Sequence, residues 1–110
     1  MGDKRIENSE SAVNAAPHLP ADKKAALSAA LSKLKPAIAK ILETHHEDAE
    51  TITRLIEDST HEATRQNKRP ELLKTLVHRL KQSVEQFEAS HPDVTAFVTE
   101  YSALLAEMGL

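Results

Sequence analysis

The chain has no cysteine and no tryptophan, and its only two glycines, Gly2 and Gly109, stand at the ends. Each absence removes a class of protein. Without cysteine there is no disulfide framework, no thiolate metal site and no cysteine nucleophile. Without internal glycine there is no glycine-rich phosphate loop and no Gly-x-Ser-x-Gly nucleophile elbow. Aromatic residues number three, Phe87, Phe97 and Tyr101, all in the last quarter of the chain. The rest of any core must therefore come from Leu, Ile, Val and Ala. No apolar run approaches the roughly 18 residues that a membrane span requires. The opening twenty residues lack the continuous apolar stretch of a signal peptide. Ile6 occupies the position where a myristoylation motif needs Ser or Thr. A cytoplasmic protein without membrane attachment is the expectation.

What is present is ordinary globular composition, 40% hydrophobic and 28% charged over 110 residues, enough for one domain spanning 1–110 with one core. No segment alternates apolar and polar residues with period two, and Asn-Gly hairpin signals are missing. Helical spacing recurs instead. Leu27, Leu31, Leu34, Ile38, Ile41 and His45 lie on one stripe. Ile52, Leu55, Ile56, Ser59 and Ala63 form a second stripe. Leu73, Val77, Leu80, Val84 and Phe87 form a third, and Val94, Phe97, Val98, Tyr101, Leu104, Leu105 and Met108 a fourth. Pro17, Pro20, Pro70 and Pro92 punctuate the restarts. The expected fold is all-α, an antiparallel helical bundle of four main helices plus a short N-terminal helix. That first helix, over 3–16, has a weak apolar face of Ile6 and Val13, so residues 1–20 are expected to be loosely held.

Two junctions need decisions. Pro36 falls inside the first stripe but on its opposite face, which predicts one kinked helix rather than two. An unbroken helix over 21–67 would be about 70 Å long. A compact domain of this size has a radius of gyration near ~13 Å. The chain must then turn near 44–48, where Thr44 and Glu47 have capping-box spacing, unless a partner shelters a long helix. Ser90 and Asp93 have the same spacing before the last helix, with Pro92 in its first turn and His91 forced from the helical region by the proline after it. At the end, Gly109 suits a left-handed helix stop, on which Leu110 could pack.

The corner Phe87-Glu88-Ala89-Ser90-His91-Pro92, together with the ending Met108-Gly109-Leu110, resembles a family of small bacterial proteins known as domain of unknown function number 4404. The likeness runs over residues 72–110. It implies a helical fold and a bacterial origin, and it implies no activity.

Net charge is −3, but in blocks: residues 1–40 carry +3, 41–62 carry −6, 63–81 carry +5 and 82–110 carry −5. Such blocks suit complementary neighbouring helices within the chain, or pairing between chains.

Chemistry finds few footholds. Six histidines invite a metal reading, with Glu43/His46 and Glu88/His91 in Glu-x-x-His spacing and Asp58/His61 spaced alike. The phase opposes it. Glu43 lies off the Ile38–Ile41–His45 stripe, and Glu88 and His91 flank a proline corner. His45, His46 and His61 read as solvated residues of an acidic segment, and His91 as part of a structural corner. Glu57/Asp58 read as solvated carboxylates rather than an acid–base pair. Arg65, Lys68, Arg69, Lys74, Arg79 and Lys81 form a basic cluster, but no aromatic interleaves it and the pI is near 6.1. That argues against nucleic acid. No catalytic, cofactor-binding or metal-ligating residue is assigned, no cofactor or small-molecule substrate is implied, and an enzyme is not expected. What remains is a structural or adaptor module acting through self-association, most simply as a homodimer, or through a protein partner. A small metal-binding bundle is the alternative.

Overall fold

The computed structural model describes residues 2–108, so the stop expected at Gly109 and Leu110 lies outside the described residues. Among the described residues every regular element is helical: α1 (Gly2–Ala15), α2 (Ala21–Thr44), α3 (His46–Thr64), α4 (Pro70–Val84) and α5 (Pro92–Met108), with a single 3-10 turn at Glu85–Phe87 closing α4. At 1.5 Å per residue the 24 residues of α2 measure about 36 Å, which matches the 38 Å long axis of the molecule. Nothing longer fits, so α2 and α3 must fold back on each other.

The fold-back takes one residue. His45, at φ −133° and ψ 66°, leaves the helical region while its N–H still bonds to the Ile41 carbonyl at 2.7 Å and its own carbonyl accepts the first bond of α3 from Ala49 at 3.0 Å. The capping box expected from Thr44 and Glu47 does not form. Thr44 is the last helical residue of α2 and cannot take the extended cap conformation, so the cap position passes to His45, whose side chain makes no capping bond. The Thr44 hydroxyl pairs with His45 Nδ1 at 2.8 Å instead. The second box is displaced in the same way. The first bond of α5 runs from Thr95 N–H to the His91 carbonyl, and the Asp93 carboxylate accepts the N–H of Val94 at 2.9 Å. Each junction moves the cap by one residue, onto a histidine.

Pro36 does not interrupt α2. Pro36 and Ser32, whose carbonyl it deprives of a donor, are both exposed, so water can satisfy the orphaned oxygen.

Helices α2, α3, α4 and α5 form a ring in which each touches the next, and α3 also reaches α5 across the middle. Ion pairs fix the directions. Lys23–Glu107 at 3.1 Å and Lys33–Glu100 at 3.7 Å run antiparallel along α2 and α5. Lys33 Nζ also lies 5.9 Å from the centre of the Phe97 ring. The complementary charge of the first and last blocks thus pairs neighbouring antiparallel helices. These contacts are exposed, so each is worth about 0–1 kcal/mol and selects orientation more than it stabilises.

The first helix packs more closely than its sparse apolar face suggests. It is not loosely packed: α1 lies along the groove between α2 and α3, with Ile6, Ser9, Val13 and the following Ala16 all at 4% exposure or less. Arg5 Nη1 and Asn8 Nδ2 donate to the Glu57 carboxylate at 2.9 and 3.0 Å, and Lys35 of α2 reaches Glu7 at 3.3 Å. The face looked weak because it needs so little: two branched side chains and two small residues fill a groove already lined by other helices.

All the stripe residues from Leu27 to Ile41, and Leu73, Val77, Leu80, Val84 and Phe87, are buried in one core with Ile52, Ile56, Val94, Val98, Tyr101 and Leu105. His45 is the exception. It continues the α2 stripe in sequence but is exposed at the fold-back. α3 buries more than its stripe, because it touches all four other helices. Thr53, Ser59 and Thr60 are fully buried, and each returns its hydroxyl proton to a carbonyl one turn back, at 3.0, 2.6 and 2.7 Å. That local bond is what lets a polar residue occupy a dry face.

Candidate functional site

The candidate residues for chemistry separate in space. His45, His46 and His61 are exposed, as are Glu43, Asp58 and Glu88. Glu43 and His46 belong to different helices, and His46 approaches Glu50 at 3.9 Å. Among the described residues no three His, Asp or Glu side chains converge as a metal site would require. His45 and His91 share one neighbour: their rings meet the buried Phe87 ring edge-on, at centroid distances of 5.2 and 5.8 Å. The α2/α3 fold-back and the α4/α5 corner, 46 positions apart in sequence at these histidines, therefore close on one phenylalanine at the same end of the bundle.

The two groups with displaced pKa values are engaged in holding the fold. The Tyr101 phenol is driven up by burial, with its bond to Thr60 acting the other way. Its oxygen lies 2.5 Å from Thr60 Oγ1, and Thr60 spends its proton on the Ile56 carbonyl at 2.7 Å. A hydroxyl has one proton, so Tyr101 is the donor and the chain runs Tyr101 to Thr60 to Ile56. Glu62, which no stripe or motif marks, is buried on α3. One carboxylate oxygen accepts the backbone N–H of Arg69 at 2.6 Å, and the other takes Arg65 Nη1 at 3.0 Å and Arg69 Nη2 at 3.5 Å. Burial pushes this carboxyl up. The Arg69 N–H, the Arg65 hydrogen bond and the two guanidinium charges outweigh it and hold Glu62 below the usual carboxylate value. The arrangement pins the 65–69 loop just before α4 begins.

α4 is flanked by two depressions. On its α3 side an open hollow of about 320 Å³ is lined by Asp58, His61, Glu62, Arg65, Arg69, Leu72 and Leu76, and its charges already neutralise one another. On the α5 side lies a better-formed groove of about 260 Å³. Leu73 and Val77 make its floor, Pro70 and Ala106 its end, and Lys74, His78 and Lys81 its rim. Lys74, Arg79 and Lys81 form no ion pair among the described residues, whereas Arg5, Lys23, Lys33, Lys35, Arg65 and Arg69 all do. Of the basic block at 63–81, only Arg65 and Arg69 are answered, both by Glu62. The sequence marked Lys74, Arg79 and Lys81 as part of a basic cluster but gave no sign that an apolar floor lies beside them. The volume is below the roughly 300–1,000 Å³ of a small-molecule site. It suits a few side chains.

The architecture is thus a small all-α bundle of the four-helix kind, with an extra helix laid in one groove and an open, basic-rimmed groove across the ring. Residues 27–110 match the family described as Domain of unknown function (DUF4404), and the chain belongs to that family. The match extends well upstream of the resemblance over 72–110 and takes in most of α2 and all of α3, α4 and α5; α1 lies outside it. No curated protein and no solved structure matches the chain. No helix among the described residues is long and apolar enough to cross a membrane.

Proposed function

We propose that this protein is a non-catalytic structural or adaptor module that works by holding a protein, another copy of itself included, against the α4/α5 face. The observation that carries this reading is the unanswered charge of α4. Lys4, Lys24, Lys40, Arg54 and Lys68 share with Lys74, Arg79 and Lys81 the lack of a carboxylate partner among the described residues, but only Lys74 and Lys81 of this set edge the groove with an apolar floor. Apolar ground with a charged rim is the usual anatomy of a protein interface. The groups whose protonation the fold displaces, Glu62 and Tyr101, have their polar atoms committed to structural bonds.

The test is crosslinking in cells of the natural source, with a photoreactive amino acid at His78 on the groove rim and, as control, at the exposed Lys40 of α2. A crosslinked protein present at position 78 and absent at position 40 is expected, with sedimentation equilibrium showing whether it is a second copy. The same products at both positions would count against the reading.

A further inference from the structure

Of the grooves between neighbouring helices in the ring of α2, α3, α4 and α5, this chain fills the one between α2 and α3, and the one opposite it lies between α4 and α5. α1 lies between α2 and α3 and touches neither α4 nor α5. Its buried face is short, Ile6, Ser9 and Val13 at spacings of three and four, and charged residues at its edges clamp it through Glu57 and Lys35. The groove across the ring, between α4 and α5, has the same construction: branched residues below, here Leu73 and Val77, and charged residues on the lip. Its lip has one sign. Lys74 and Lys81 lie seven residues apart, two turns of helix and about 10 Å, both on the groove side of α4 and both without an ion-pair partner among the described residues.

We infer that the α4/α5 groove receives an acidic amphipathic helix from a partner protein, seated opposite α1. The inference rests on the function proposed above and names the chemistry of what is held. Two or three apolar side chains at i, i+3/i+4 and i+7 enter over Leu73, Val77 and Ala106, in the helix-in-groove mode. Carboxylates flanking them meet Lys74 and Lys81, replacing the in-chain partners that α4 lacks. A lipid surface fits less well. Leu73 and Val77, 1% and 8% exposed, floor a recess instead of projecting from it, so the groove can receive side chains inserted by a partner but α4 has none of its own to insert into a bilayer without unpacking the core.

The experiment titrates the full-length protein with a capped synthetic peptide of about 14 residues, with leucines at i, i+3, i+4 and i+7 and glutamates on the remaining positions. Two control peptides accompany it, a scramble of the same composition and a version with lysine for every glutamate. Amide shifts in ¹⁵N spectra locate the site, and fluorescence anisotropy gives the affinity. Saturable binding is expected for the acidic amphipathic peptide alone, with shifts centred on Lys74, Val77, His78, Lys81 and Ala106. Affinity should fall with added salt, and Lys74→Glu/Lys81→Glu should weaken it by about tenfold while leaving the thermal melt unchanged. Equal binding of the scramble, shifts centred on Leu72 and Leu76, or an affinity untouched by the charge reversal would overturn the inference. So would vesicles of phosphatidylglycerol and phosphatidylcholine that compete with the peptide for the same amides. If the acidic peptide fails to bind while position 78 still crosslinks to a protein, the acidic helix is wrong and the adaptor reading stands. If the peptide binds as expected and no protein crosslinks at position 78, the groove chemistry is right and the adaptor reading falls.

Discussion

Replacing Glu62 should destabilise the protein more than any other surface-to-core carboxylate change, and in a way that depends on pH. The side chain is 4% exposed and accepts three hydrogen bonds, the shortest from the backbone N–H of Arg69. Glu62→Ala removes that charge-assisted bond and leaves the Arg69 N–H without its partner, at about 2–3 kcal/mol. The two guanidinium bonds add little, because Arg65 and Arg69 are 37% and 64% exposed and can turn to water. Glu62→Gln keeps an acceptor for Arg69 N–H and loses only the charge, so about 1 kcal/mol is expected. The folded carboxyl titrates below its ordinary value of 4.5. Its stabilisation is therefore complete above the pH at which the unfolded carboxyl titrates, and is lost as pH falls through the lower folded value. Urea unfolding followed by circular dichroism at neutral pH should show Glu62→Ala least stable, Glu62→Gln intermediate and the parent most stable. The gap between parent and Glu62→Gln should shrink as the buffer is taken below about pH 4. A Glu62→Ala protein within about 0.5 kcal/mol of the parent, or a gap that does not change with pH, would refute the reasoning.

Four further outcomes follow from the packing. Ile6→Ala should cost about 2–4 kcal/mol in the same urea assay, since Ile6 is 1% exposed; a near-neutral result would mean that α1 contributes little to the fold. Thr60→Val should cost more than Tyr101→Phe. The first strands a buried phenol donor at about 1–3 kcal/mol, whereas the second removes a donor and leaves Thr60 bonded to Ile56, at about 1 kcal/mol. Ser102→Ala should be neutral or raise the melting temperature, because the buried Ser102 hydroxyl has no partner among the described residues. Pro36→Ala should stabilise the protein by about 1 kcal/mol or more, as it restores a bond to the Ser32 carbonyl in the middle of a continuous helix.

The sequence by itself determined the helices. With no internal glycine, prolines at the restarts and apolar residues in steps of three and four, little else could form, and the four stripes became the core almost residue for residue. It also favoured a turn near 44–48 over a long helix sheltered by a partner, because a compact chain of 110 residues has no room for a 70 Å helix. Tertiary structure decided what periodicity cannot encode. A stripe describes one face, yet α3 is enclosed by four helices, so Thr53, Thr60 and Glu62 are buried on sides that read as polar. Ile6 and Val13 looked too sparse to hold α1, but the groove that receives them is built by α2 and α3, which follow later in the chain. The cap slipped by one residue at both junctions, to His45 and His91, although Thr44 and Ser90 stand just before them. His45 and His91 came to share Phe87 only through the folding-back of the chain. The open groove on α4 is the same kind of fact. Its lysines are plain in the sequence, but that their carboxylate partners lie elsewhere, and that Leu73 and Val77 lie beside them, depends on which helix each acidic block was packed against.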